Sequence, residues 1–447
     1  GRMSMDAAGG RVIEFLQQLI RNACVSRNFP SEGEESRNAE TIEAVLAGPG
    51  LDLEKVEPVP GRASLVARIE GSDPDAPSLC LLGHTDVVPV EESAWSRDPF
   101  GGELVDGEVW GRGAVDMLNQ TAAMALAVRR LADSGFRPKG SLVYAAVPDE
   151  ECGGLQGMKP LLEQHRDLVD ADYAVTEIGG AVRQTPTGPA VECYVAEKGG
   201  GTIMVHVKGT ASHSSVPWGS DNALITAVEV VKRLSAYRSP TEILPPWVSW
   251  VKAQGYAPEV EALLLDGDRL YDSLGELPAA LAGRAHACTH NTVAPTMLQA
   301  GKKINVIPGV ASIGVNARIL PGQDPDHLVA DVRALLADLG DRVEIEPMRI
   351  QPGSGSTTDT PLWAALEGVA RRHHPDAVLV PSLCVGATDA RWLRPAGIPT
   401  YGFGVLSRKV TPTEYWARFH SHDERIDVDS LTMSLSGWEQ LAGDFVG

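Results

Sequence analysis

The chain has 447 residues, 43% of them hydrophobic, enough to bury a core in each of two domains. Its 59 acidic residues outnumber 39 Lys plus Arg, and the net charge of -20 excludes a nucleic-acid or anionic-membrane surface. No apolar run approaches the ~20 residues of a membrane span and no signal-peptide pattern opens the chain, so the expected place is the cytoplasm.

Gly1-Arg2 precedes the first Met and reads as an appended pair, outside the fold. The spacing of Val12-Ile13, Phe15-Leu16 and Leu19-Ile20 predicts an amphipathic helix. Buried strands follow at Leu79 to Leu82, Leu142 to Val147 and Tyr173 to Val175, with a helix from about Asn119 to Leu131 between the first two. Short apolar strands alternating with helices predict an α/β sheet covered by helices on both faces. Near Glu197-Lys198-Gly199 the pattern changes to half-exposed alternation, Thr202 to Lys208, and a helix from about Asn222 to Leu234. An irregular stretch rich in Pro and Trp separates these from a strand at Ala311 to Leu320, a helix at Pro325 to Leu339 and a strand at Val343 to Ile350. The expected organisation is a catalytic domain over 11–197, an inserted smaller α+β domain over 198–350, and a second catalytic segment over 351–447 that completes the first sheet. The six cysteines show no CxxC spacing and read as reduced thiols.

The strand ends carry the chemistry. His84 and Asp86 follow Leu79 to Leu82, the run Asp149-Glu150-Glu151 in PDEECGG follows Val147, and Glu177 follows Val175. Asp116 lies in the Gly-rich turn WGRGAVDM, and RFHSHDERI offers His420 and His422 near the C-terminus. Ligands of an open parallel sheet bind beyond the carboxyl ends of its strands. Each motif alone describes an ordinary loop, and an acidic triplet alone describes a solvated turn. Several strand ends carrying His, Asp and Glu together describe a dinuclear site of N and O ligands, which suits zinc.

In that order, GHTDVVP, WGRGAVDM, PDEECGG, Glu177 and HSHDE resemble the motifs of the dinuclear-zinc peptidases and deacylases. That family includes carboxypeptidase G, acetylornithine deacetylase, succinyl-diaminopimelate desuccinylase, aminoacylase and carnosine dipeptidase. The resemblance spans essentially the whole chain. It implies a mixed central sheet flanked by helices, with an inserted ferredoxin-like lid or dimerisation domain. It also implies two Zn2+ per subunit, with Co2+ or Mn2+ as substitutes. Asp116 would bridge the ions, His84 and Glu177 would complete one, and Glu151 and His420 the other, His420 being selected over His422 by the family spacing. Asp86 would accept the second ring N–H of His84, and Glu150 would be the general base, leaving Asp149 as a turn residue or one that supports the ligands. In the inserted domain His213 is the expected donor to the oxyanion, and Asn305 and Arg318 the expected holders of the substrate carboxylate. Gly386 and Thr388, in GATDAR, are expected to line the pocket, Thr388 and Asp389 being equally compatible with a turn.

The resemblance implies cleavage of the amide bond of a dipeptide or N-acyl amino acid by a homodimer, with no nucleic-acid or membrane partner. Residues 239–291 exceed the compact lid of the smallest members; this stretch would widen a dimer contact, shape the acyl pocket or stand in for a partner subunit. One rival is a two-metal phosphoesterase, which requires basic residues near the metals where the motifs supply only Arg112 and Arg391. Another is a non-catalytic metal-binding protein of the same fold.

Overall fold

Leu142–Val147, Leu79–His84, Tyr173–Thr176 and Thr400–Gly402 run parallel, in that spatial order, through the middle of a ten-stranded sheet. The computed structural model describes residues 7–27 and 33–447; Gly1-Arg2 lies outside them. Arg62–Ile69 and Asp52–Val59 extend one edge antiparallel, and Gly188–Glu197 continues the other, antiparallel to Thr400–Gly402. Val378–Cys384 lies parallel to Gly188–Glu197, so the C-terminal segment joins the same sheet. Alternate residues of one strand serve two cores: Leu79 and Leu81 pack with Leu16, Met124, Trp438 and Leu441, whereas Cys80 and Leu82 pack with Met158, Leu161 and Leu393. The result is the expected mixed sheet between helical layers, in which strands buried on both faces read as unbroken apolar runs.

A second, antiparallel sheet has the order Thr292–Ala300, Val310–Ile319, Gly199–Lys208, Val343–Gln351. Ile203, Val205 and Val207 point into its own apolar cluster, and Thr202 and Lys208 point away, as the period-2 alternation requires. Helices Ala223–Ser235 and Pro325–Leu336 close that cluster with Val230, Leu234, Leu328 and Val332. Both starts are capped: the Asn222 side chain accepts from Leu224 N–H, and Asp324 accepts from Asp326 N–H ahead of Pro325.

Within 198–350, the helices of the Pro- and Trp-rich stretch pack apart from the second apolar cluster. Helices Pro245–Ala253, Pro258–Leu264 and Ala279–Thr289 place Trp247, Trp250, Leu264 and Ala285 in the core of the large sheet, not in the second cluster. Trp250 Nε1 donates to the buried Glu192 of strand Gly188–Glu197 at 2.7 Å, and Arg284 stacks over the Trp250 ring at 4.0 Å. Composition alone could not assign this segment, because an apolar Trp-rich helix is satisfied by either core. Among the described residues no helix is long and apolar enough to cross a membrane.

Candidate metal centre

The three central parallel strands end side by side, and their C-terminal residues meet. His84 Nε2 lies 3.0 Å from Asp116 Oδ1 and 3.6 Å from Glu177 Oε2. His420 Nε2 lies 2.9 Å from Asp116 Oδ2 and 3.2 Å from Glu151 Oε1. Three groups therefore have ligand atoms within 4.8 Å of one another: His84–Asp116–Glu177, Asp116–Glu151–His420 and His84–Glu150–Glu151. Asp116 belongs to two of them through different oxygens, which is how a carboxylate bridges. His84, Asp116, Glu150 and Glu177 are buried, whereas the His420 side chain is 53% exposed and opens the site to solvent. His422 is exposed and belongs to none of these groups.

The electrostatics fit a cation site. Burial, then the charge of Asp116, pushes the Glu151 carboxyl up to about 8, and burial with Asp116 and Glu150 pushes Glu177 well above the carboxylate range. Hydrogen bonds to Asp116 and Glu151 raise His420 to about 11. Burial opposes ionisation of Asp116, yet its bonds to His420 and His84 hold it well below the usual range. Such a cluster retains protons because it is short of positive charge, and two divalent cations on its N and O donors would supply it.

Three buried carboxylates hold these ligands in place. Asp86 does so differently from expectation: His84 Nδ1 donates to the Asp86 carbonyl oxygen at 2.9 Å, with the carboxylate at 3.4 Å. That contact still directs Nε2 toward Asp116. The Asp86 carboxylate instead accepts from the N–H groups of Glu150 and Glu151, each at 3.1 Å, because a tight turn leaves those donors without backbone partners. Glu424, fully buried, accepts from Val115 N–H and Asp116 N–H at 2.9 and 3.1 Å and pairs with Arg112 at 2.9 Å. Asp149 is no solvated turn residue: it is buried with a positive φ of 71°, pairs with Arg62 at 3.0 Å and accepts from Gln156 N–H at 2.8 Å. Arg62 in turn binds Glu35 at 2.7 Å. Sequence reasoning missed Arg62, Glu35 and the grip of Glu424, since spacing carries no sign of which acids are buried.

The substrate-side residues are distributed unevenly. Arg318, half-buried, donates from Nε to Asn316 at 3.2 Å; burial, and the neighbouring Arg391, lower its pKa, and Glu150 and Glu197 lie within its field. Gly386 is half-buried beside Cys384, whose Sγ would lie 3.7 Å from a Cβ at that position. Thr388 is buried with both its N–H and its hydroxyl on Glu197 Oε2, at 3.1 and 2.7 Å, so it braces the loop and has no donor left for a pocket. His213 and Asn305 are exposed and stand outside the metal groups, at the small ladder formed by Ser212–His213 and Val306–Ile307. Of the two basic residues in the motifs, Arg112 is spent on Glu424 and on the Ser421 carbonyl, and Arg391 pairs with Glu150 at 2.5 Å.

Residues 80–444 match the peptidase family M20/M25/M40. The chain belongs to that family. It is 30% identical to aminoacylase-1 of Sus scrofa over 398 residues, covering 88% of this chain and 86% of that protein. A metallo-carboxypeptidase of the M20 family from Sulfolobus solfataricus superposes with a TM-score of 0.74 at 20% identity, over 98% of this chain and 99% of the other. Human carnosine dipeptidase 1 superposes with a TM-score of 0.68 at 16% identity, over 97% and 96% of the two chains. This M20 chain is accordingly a hydrolase of amide bonds of a metal-dependent family, and the phosphoesterase rival finds no support among its relatives.

Proposed function

We propose that this enzyme hydrolyses N-acyl amino acids or dipeptides with two Zn2+ ions, Co2+ or Mn2+ substituting. The observation that carries the reading is Asp116, whose two oxygens face the histidines of two separate ligand groups, with Glu150 beside both. His84, Asp116 and Glu177 would hold one ion, and Asp116, Glu151 and His420 the other. When bound, such a pair supplies acidified water and polarises the scissile carbonyl. Glu150, buried at the edge of the cluster, takes the proton of the attacking water and hands it to the leaving nitrogen. Burial raises its carboxyl while Arg391 and His84 pull it back, which suits a group that must accept and release a proton.

Arg318, whose outer guanidinium nitrogens are not engaged by Asn316, holds the free carboxylate of the substrate. Its likeness to aminoacylase-1 favours an N-acyl amino acid over a dipeptide. His213 and Asn305 serve the site of a second copy in a homodimer, His213 donating to the oxyanion. Supporting this, helix Ala223–Ser235 exposes Leu224, Ile225 and Val228 at 38, 67 and 53%, and Trp218 and Ile304 are almost fully exposed nearby in the chain's second-sheet region. The test is a panel of N-acyl amino acids and dipeptides on zinc-loaded protein, with Glu150→Ala as control. Expected is turnover of the N-acyl series by the wild type and loss of about 100- to 10,000-fold in the variant at unchanged metal content. Unchanged hydrolysis by Glu150→Ala removes the base from the mechanism.

A further inference from the structure

The geometry points to Arg391 as the residue that positions Glu150 for proton transfer, an inference that rests on reading Glu150 as the base. Arg391 lies in the short helix Ala390–Leu393 that follows strand Val378–Cys384, and its own anchorage is fixed first. Its Nε donates to the Thr388 carbonyl at 2.8 Å, and Thr388 is held on Glu197 by two hydrogen bonds. From that fixed point Nη2 reaches Glu150 Oε1 at 2.5 Å and the Glu150 carbonyl at 3.3 Å. The other carboxylate oxygen, Oε2, is left on the metal side, 3.9 Å from His84 Nε2.

Glu150 needs such a partner. Asp86 fixes only its backbone N–H, and the side chain shares its surroundings with Asp116, Glu151 and Glu177. The rotamer freedom of a glutamate would otherwise let it turn away from the reacting water. Arg391 is the cation that opposes this. The neighbouring residue makes a second grip on the same turn: Trp392 Nε1 donates to the Gly153 carbonyl at 3.0 Å. Gly154 has a φ of +71°, and a Cβ there would stand 2.5 Å from Asp389 Oδ1 and 2.8 Å from Trp392 Nε1, so the two segments fit without slack. The short helix Ala390–Leu393 thus clamps the turn carrying the base, across some 240 residues of chain.

The competing role for Arg391 is to bind the substrate carboxylate. Arg318 is better placed for that, since Arg391 is already engaged by Glu150 and Thr388 whereas Arg318 donates only to Asn316 among the described residues. The two roles separate in kinetics. For zinc-loaded Arg391→Met on an N-acyl amino acid, kcat is expected to fall about 10- to 100-fold with KM within about twofold of wild type. Arg391→Lys, which restores the charge but not the fork, recovers part of kcat. A cycle with Glu150→Ala then isolates the route: if Arg391 acts through Glu150, Arg391→Met adds nothing in the Glu150→Ala background. A rise in KM with kcat retained, or full additivity in the cycle, overturns the positioning role. Retained activity of Glu150→Ala alone instead strikes the base, and is told apart because it appears without any change at Arg391. Should Arg391→Met not fold, the same cycle run with Arg391→Lys decides.

Discussion

Arg62 lies behind the metal centre, bound to Glu35 and Asp149, and its removal is expected to reach both stability and turnover. Its side chain is 1% exposed, binds Glu35 through Nε and Nη2 at 2.7 and 2.8 Å, and binds Asp149 at 3.0 Å. Arg62→Met keeps the volume and leaves two buried carboxylates without their cation. Breaking a buried pair in this way costs about 3 to 5 kcal/mol, a large part of the 5 to 15 kcal/mol that holds a typical protein folded. The loss has a ceiling because Glu35 can take up a proton: burial, with the charge of Asp86, already pushes it to about 7. Without Arg62 it protonates more readily still, so the deficit is expected to be smaller at pH ~6 than at pH ~8. Urea unfolding of wild type and variant at both pH values measures this. Asp149 also loses its tether at the turn that carries Glu150 and Glu151, so kcat/KM should fall about 10- to 100-fold. A deficit below about 1 kcal/mol at both pH values would refute the energetic argument. Full destabilisation with unchanged kcat/KM would refute the link from Asp149 to the site.

Asp116→Ala should lose both ions by mass-spectrometric metal analysis, because its two oxygens serve two groups, whereas Glu177→Ala should lose one. Trp250→Ala removes a ring that is 4% exposed, stacked on Trp247 at 5.3 Å and bonded to Glu192; a loss of about 3 to 5 kcal/mol in chemical denaturation is expected. An intact denaturation midpoint would mean that helix Pro245–Ala253 is not anchored through it. His290 is buried, with Thr241 and Thr289 hydroxyls on its two ring nitrogens, and burial followed by His286 lowers its pKa from 6.5 to about 4. The unfolded chain then binds more protons between those values, so stability is lost as pH falls through that window, by up to about 3 kcal/mol. His290→Asn should flatten this slope in unfolding curves taken across the window, and an unaltered slope would place the titrating group elsewhere.

Periodicity located most elements of the large sheet because strands buried on both faces have no polar positions to confuse the pattern. Strand Leu142–Val147 and helix Leu118–Asp133 fall within a few residues of expectation. The antiparallel edge strands Asp52–Val59 and Arg62–Ile69 give no such signal: the first is largely exposed and the second begins on a buried arginine, so neither reads as an apolar run. The long C-terminal helix Val428–Val446 emerges only in the structure, where Asp427 caps it by accepting from Ser430 N–H. At the site, residues at strand ends were legible because an α/β sheet gathers them at one edge. His213 and Asn305 were proposed by resemblance, and within one chain the fold leaves both outside the cluster.

What the sequence determined by itself is local and periodic: which runs are buried, where helices begin, and that His84, Asp149 to Glu151 and Glu177 each follow a buried strand. PDEECGG shows what it could not decide. Three adjacent acids look alike in sequence, yet Asp149 is held by Arg62, Glu150 by Arg391 and Glu151 beside His420. Their partners lie 87, 241 and 269 residues away along the chain. The charge state and role of a buried acid depend on what stands within a few ångströms of it, and only the tertiary structure brings those distant groups together.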